Sequence, residues 1–340
     1  MLSFLNNVRK SMLRGIWNKY KLQLSVSLIF NGLWLLFFVI NPFAFTNPYT
    51  YTSVMSIVPF TLLPALSTTC IMICGEIDLS FPSIMALASW VLTVSWYAMG
   101  PNILGLIFAL LVGLIAGLLN GIIITKGRIP SMIATLGMMF FWRGVVMVGT
   151  QGYGIPLMAF RGALLYNLFV GRIGSIPLQM IWAIVIALFL WILLNRHLLG
   201  QYVLLTGDNR EAAKMMGIDT DKIIIAVFML QGVIVSFAGI VATLELLTFW
   251  PSLGDAYLMK SIAAVVIGGT SIYGGSGTIF GTFLGGLILG LIELGLLSSG
   301  VSGFWTNLVY GLIIITALIV QAIIRRMEFK RELKEKLTET

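Results

Sequence analysis

Charge is scarce in this chain. Asp, Glu, Lys and Arg make up only 10% of its 340 residues, against 59% hydrophobic. A water-soluble domain devotes about a quarter of its residues to charge, so a soluble globule is excluded. Histidine is nearly absent too: His197 stands alone, in Asn195-Arg196-His197. A haem-type histidine pair and an H-E-x-x-H zinc helix are therefore ruled out, and no Ser/His/Asp arrangement assembles on one side. Cysteine amounts to Cys70 and Cys74. Their spacing of four puts them on one helix face. Two soft ligands without a third make a poor metal site, so inert buried thiols are expected there. No disulfide framework exists. The chain also lacks a G-x-x-x-x-G-K-S/T stretch, and with it a nucleotide site of that kind. The expectation is a non-catalytic chain with no cofactor or metal of its own.

What the chain has in abundance is long apolar runs, and its mean hydropathy is +1.00. A crossing helix needs about 20 apolar residues, so about ten of them would use roughly 200 residues. The runs predict spans near 22–41, 53–74, 81–99, 102–125, 131–150, 178–196, 220–247, 257–270, 277–297 and 303–325. The fold class is thus an all-α polytopic membrane protein, a single domain over 1–340. The run 22–41 is long and lacks a small-residue cleavage site, so it is expected to be a retained first span.

Charge placement orients the spans. All but four of the 21 Lys and Arg fall in 1–21, 126–128, 196–222 and 325–340; the exceptions are Arg143, Arg161, Arg172 and Lys260. By the positive-inside rule these segments are cytoplasmic, and so are both termini. The formal net charge of +8 therefore reflects orientation in a membrane. It does not indicate nucleic-acid binding, because no soluble basic domain carries it. The N-terminus 1–21 is basic and without acid, and the tail 326–340 mixes both signs.

Several features break the apolar pattern. Gly75-Glu76-Ile77-Asp78-Leu79-Ser80 interrupts one run, followed by Pro82. It is either a cytoplasmic turn with Asp78 or Ser80 capping the next helix, or the edge of a translocation path, where irregular backbone lines a cavity. A second interruption, Gly268-Gly269-Thr270-Ser271-Ile272-Tyr273-Gly274-Gly275-Ser276-Gly277, follows a stretch too short to span comfortably. Such paired Gly-interrupted segments point to a transport pathway.

Arg143, Glu245 and Glu293 lie inside predicted spans, where an ionisable group needs a partner or a cavity. Arg143 is expected to pair with Glu245 or Glu76. With Glu76, Asp78 and Ser80, these residues are the candidates for the path. Gly113-Gly117-Gly121 and Gly277-Gly281-Gly285 repeat at a spacing that brings helices close, and packing within one subunit is expected. The Gly- and Pro-rich stretch 151–177 is expected on the outer face, partly as a short re-entrant or surface helix. It either receives a soluble partner or caps the bundle.

The remaining feature is a polar cassette at 207–218, Gly207-Asp208-Asn209-Arg210-Glu211-Ala212-Ala213-Lys214-Met215-Met216-Gly217-Ile218. It is a short amphipathic helix on the cytoplasmic side, and so a handle for another protein. Arg210 and Glu211 offer polar contacts there, and Ala212, Ala213 and Met216 a small apolar face.

Four stretches carry a resemblance to the permease subunits of bacterial ATP-binding-cassette importers for ribose, xylose, arabinose, galactose and related furanoses. Gly75-Glu76-Ile77-Asp78-Leu79-Ser80 resembles that family's G-G-I-D-L-S. Ile129-Pro130-Ser131-Met132-Ile133-Ala134-Thr135-Leu136-Gly137-Met138, with Arg143-Gly144 in register, is similar to P-x-x-I-A-T-L-G-M. Gly207 to Ile218 resembles G-x-N-x-x-A-A…G-I, and 263–282 is similar to A-A-V-V-I-G-G-T-S…G-G…G-T. The resemblance covers about 50–325.

It implies a type II importer-like permease of about ten helices in a bacterial cytoplasmic membrane, surrounded by lipid. It implies pairing with a second permease subunit, identical or paralogous, and work with an extracytoplasmic solute-binding protein. A cytosolic ATPase would use ATP and Mg. Asp208, Asn209, Arg210, Glu211, Ala212, Ala213, Lys214 and Gly217 would then form the coupling helix that seats in that ATPase. Glu76 stands where the sugar permeases usually have Gly, and Phe81-Pro82-Ser83 replaces V-G-S. A nucleoside, a polyol or a flavin-like solute therefore stands beside a monosaccharide as the cargo. A secondary transporter, with Glu76, Asp78, Glu245 and Glu293 as ion carriers, is the alternative of a different class.

Overall fold

The computed structural model describes residues 23–300, 302, 304–316, 319 and 322–323. The basic N-terminus and the charged tail lie outside the described residues. Among the described residues, seven helices are long and apolar enough to cross a membrane: α1 (Gln23–Ile40), α5 (Phe81–Met99), α6 (Ile103–Gly127), α7 (Ser131–Thr150), α9 (Leu178–Arg196), α12 (Thr220–Leu246) and α14 (Ile279–Ser298). After the short α2 (Pro42–Thr46), an eighth crossing comes from α3 (Pro48–Ile57) and α4 (Pro59–Ile73) taken together, bent by 48°. Pro59 causes the bend: it has no N–H to continue the ladder, and its ring crowds the preceding turn.

Ten full crossings were expected, and one of those segments is shorter. Residues 257–270 become α13 (Asp255–Ile267), only 13 residues. At 1.5 Å per residue that is about 20 Å, short of the roughly 30 Å hydrocarbon layer. The last expected span begins as Phe304–Thr316, and its remainder lies partly outside the described residues.

Helix α12 sits at the centre and packs on α4, α5 and α6. Its approach to α6 is set by the first glycine repeat. A Cβ at Gly117 would collide with the Phe228 carbonyl, and one at Gly113 with Ser236 and the Gly232 carbonyl. The repeat thus packs within one subunit. Gly281 and Gly285 do the same for α14 against α13, where they meet the carbonyls of Gly268 and Ala264.

Where α7 and α12 end, residues 151–177 fold onto the helices. The two-residue strand Ile155–Pro156 pairs antiparallel with Thr248–Phe249, which ties the end of α7 to the end of α12. Helix α8 (Leu164–Val170) lies on α9 and α12. Its Phe169 ring meets Phe237 edge-on at 5.5 Å, and the Trp182 indole donates to the Leu168 carbonyl at 3.0 Å. The expected short helix is present as a surface element held by aromatic contacts.

Candidate functional site at the cassette end

The cassette folds as two short helices joined cap to cap. Helix α10 (Leu198–Asp208) starts at His197, whose imidazole accepts from the Leu199 N–H. Asn209 is extended, ends α10 and begins α11 (Arg210–Met215) by accepting from the Ala212 N–H at 3.0 Å. Gly217, at φ +83°, closes α11. The Gly217 N–H donates to the Lys214 carbonyl and the Ile218 N–H to the Ala213 carbonyl, the Schellman arrangement that a left-handed glycine permits. Asp219 then caps α12 by accepting from the Lys222 N–H. Hydrogen bonds and charge from Lys222 hold its exposed carboxyl below the usual range.

The two glycine interruptions end their helices in the same way. Gly75, at φ +84°, follows α4, with N–H groups of Gly75 and Glu76 bonded to the carbonyls of Met72 and Ile71. Gly269, at φ +81°, follows α13, with Gly269 and Thr270 bonded to Val266 and Val265. Both loops then meet the cassette. The Gly275 N–H donates to the Ile73 carbonyl at 2.9 Å. Gly207 is pinched between that carbonyl and the Gly275 nitrogen, so any Cβ there would collide with main chain. The two sequence-predicted interruptions, 75–80 and 268–277, therefore converge on the cassette.

Charge binds the same region. Arg210 turns inward, its guanidinium 3.4 Å from Glu76 Oε1 and 3.0 Å from Asp221 Oδ1. Lys126 at the end of α6 stands 3.9 Å from the other oxygen of Asp221. Burial pushes the Glu76 carboxyl above its usual range, against the Ser131 hydrogen bond and the Arg210 charge. Beside α11 opens a groove of about 750 Å³, lined by Glu76, Arg128, Ser131, Arg210, Lys214 and Asp221 among others. Glu211 and Lys214 pair with each other at the surface at 3.0 Å.

The other path candidates fall into separate networks. Asp78 is buried and accepts from the N–H and hydroxyl of Ser80 at 2.8 and 2.6 Å, so it shapes the start of α5. Asn120 of α6 donates to that same Ser80 oxygen. Ser131 and Thr135 of α7 hold the Ile77 and Leu79 N–H groups. The 75–80 link is thus pinned on three sides.

Arg143 does not pair with Glu245 or Glu76. It grips Asp255 and the carbonyls of Pro251 and Leu253, in the turn that leads into α13. Glu245 accepts instead from Gln179 of α9, and Glu293 pairs with Lys260 at 2.9 Å and accepts from the Tyr310 hydroxyl. Cys70 and Cys74 are buried free thiols. Among the described residues, no group of three or more His, Cys, Asp or Glu gathers to hold a metal.

A family model described as the permease component of a branched-chain amino acid transport system matches residues 50–318. The chain belongs to this permease family. The ribose import permease protein of Escherichia coli is 37% identical over 261 residues, 75% of this chain and 80% of that protein. The autoinducer 2 import system permease protein of Yersinia pseudotuberculosis is 33% identical over 281 residues, 81% and 78%. The ribose import permease protein of Bacillus subtilis is 32% identical over 295 residues, 86% and 91%. No solved structure matches.

The matched region of the permease contains every candidate residue named above. Three functional-looking residues escaped the sequence reading: Asp221, Asp255 and Asn120. Asp221 looked like an ordinary first-turn acid, and Asp255 sat next to a predicted span boundary. Asn120 was hidden in a glycine-rich apolar run. An acid at a helix start or an amide inside a span is the only local signal any of them gives.

Proposed function

We propose that this permease is the membrane subunit of an ATP-driven importer for a small, sugar-like polar solute. The cassette is where a cytosolic ATPase engages. The observation that carries the coupling role is the split character of α11. Ala213 is fully buried against its own chain, while Met215 and Met216 stand 90% and 60% exposed beside exposed Glu211 and Ala212. Exposed methionines at the tip of a polar segment are adaptable contacts for a partner's cleft. Two assignments within the cassette change as a result. Ala213 leaves the docking face, and Arg210 turns to its own chain instead of the partner.

The names of the relatives, for ribose and autoinducer 2 import, support a sugar-like cargo. Import of this kind implies an inner-membrane location, a solute-binding protein outside and a second permease copy. ATP and Mg belong to the ATPase.

The test is co-purification and uptake in proteoliposomes. Met215→Asp together with Met216→Asp should release the ATPase and abolish uptake while the permease stays monodisperse. Retention of the ATPase by this variant refutes the docking face. Uptake that continues without any ATPase and follows a sodium or proton gradient refutes the importer.

A further inference from the structure

Arg210 sits on the cassette but is bonded to two elements of the helix bundle. Its helix, α11, is only six residues long and is bounded by the extended Asn209 and the left-handed Gly217. Beside it opens a groove of about 750 Å³, which Arg210, Glu76 and Asp221 help to line. Across that space the Arg210 guanidinium reaches two acids on different elements, Glu76 of the 75–80 link and Asp221 in the first turn of α12.

Neither acid is free to follow passively. Glu76 belongs to the link that Ser131, Thr135 and Asn120 anchor to α7 and α6. Asp221 belongs to the central helix and is also approached by Lys126. A guanidinium has a planar fork with donors on both sides, so it can hold two carboxylates at once, which an ammonium cannot do with the same geometry. The contacts are part-exposed, with side chains 37%, 12% and 33% accessible for Arg210, Glu76 and Asp221. Such pairs are weak enough to shift and re-form without unfolding anything.

We infer that Arg210 is a positioning residue: the strut by which displacement of the cassette reaches the start of α5 through Glu76 and the start of α12 through Asp221. The inference rests on the coupling role proposed for the cassette. It separates two jobs within one short helix. The exposed methionine tip takes up the ATPase, and the inward arginine passes the movement on. A strut and a docking contact fail differently. Loss of the docking contact dissociates the complex, whereas loss of the strut leaves it assembled but slipping.

The experiment is a double-mutant cycle on the full complex in proteoliposomes, with Glu76→Gln, Arg210→Gln and both together, and Arg210→Lys as the charge-retaining variant. Solute uptake, ATP hydrolysis and ATPase co-purification are read on the same preparations. Each single glutamine variant should keep the ATPase bound and lower the solute moved per ATP at least fivefold. The double variant should be no worse than Arg210→Gln alone, because that substitution already cuts the arm to Glu76. Arg210→Lys should restore uptake per ATP only in part.

Release of the ATPase by Arg210→Gln overturns the strut, since it makes Arg210 a docking residue. Unchanged uptake per ATP in the singles overturns it, and so does a double variant whose loss is the product of the two. If the glutamine variants fail to assemble, Arg210→Lys decides alone: full uptake per ATP refutes the two-acid linkage. Failure of the coupling role itself would show elsewhere, in a methionine-tip variant that still holds the ATPase.

Discussion

Lys260 of α13 sets its Nζ within 3.0 Å of both carboxylate oxygens of Glu293 on α14, and it lies over the Tyr310 ring at 5.5 Å from the centroid. This joins the shortened helix to its full-length neighbour by charge, inside segments read as crossing a membrane. An ion pair there is more costly to break than to replace, because a lone charge is left in an apolar setting. Lys260→Met should therefore destabilise the protein by about 2 kcal/mol, discounted for partial exposure from the larger values of fully buried pairs. Lys260→Met combined with Glu293→Leu should recover most of that loss. Thermal unfolding in detergent measures both, and a double variant less stable than the single contradicts the pairing.

The α6–α12 contact should be intolerant of added volume. Gly117→Val drives a side chain into the main chain at Phe228 and should cost at least about 1–3 kcal/mol, the usual range for overpacking. Gly137 on α7 has nothing within 4 Å of a Cβ. Gly137→Ala should be neutral or slightly stabilising, by up to about 1 kcal/mol, since Gly is the poorer helix former. Equal effects of the two substitutions would mean that helix propensity, not close approach, governs both sites.

Asp78 organises the entry to α5 through Ser80. Asp78→Ala strands the Ser80 N–H and hydroxyl in a buried place and should cost about 1–3 kcal/mol. Asp78→Asn keeps a carbonyl oxygen for both donors and should cost less. The order aspartate, asparagine, alanine in chemical or thermal unfolding checks this. An alanine variant as stable as the parent would show that Asp78 has no role as a cap.

The grip of Arg143 on the turn before α13 uses two carbonyls and a carboxylate together. Lysine cannot span those positions with one ammonium. Arg143→Lys should loosen residues 250–255 nearly as much as Arg143→Met. Protease accessibility of that turn in intact vesicles reports it, and a lysine variant indistinguishable from the parent would remove the need for the fork.

Much of this architecture was legible because the information is local. The starts of α5, α7 and α9 and the full extent of α12 follow directly from apolar run length. The caps of the cassette follow from Asn209, Gly217 and Asp219, residue types whose backbone and side-chain preferences act within a turn. What was not legible depends on contacts distant in sequence. The run 53–74 reads as one straight span, and the 48° bend at Pro59 emerges only in the fold. The partner of Arg143 lies 112 residues away. Glu245 and Glu76 are the partners the sequence suggests, because the hydrophobic pattern says which residues are within the membrane and not which helices are neighbours. The inward turn of Arg210 was hidden for the same reason. Amphipathicity places an arginine on a polar surface, and only the packed neighbours decide whether that surface faces water or the protein's own acids.

Gly207 and Gly275 join the cassette to the ends of α4 and α13 through main-chain atoms alone. Side chains at a mechanical joint can absorb a push by changing rotamer; peptide planes cannot. A joint made of backbone therefore leaves little play between the cassette and the ends of α4 and α13. It is also indifferent to the identity of the residues around it. Exposed residues of the cassette can therefore change while the linkage beneath them stays the same.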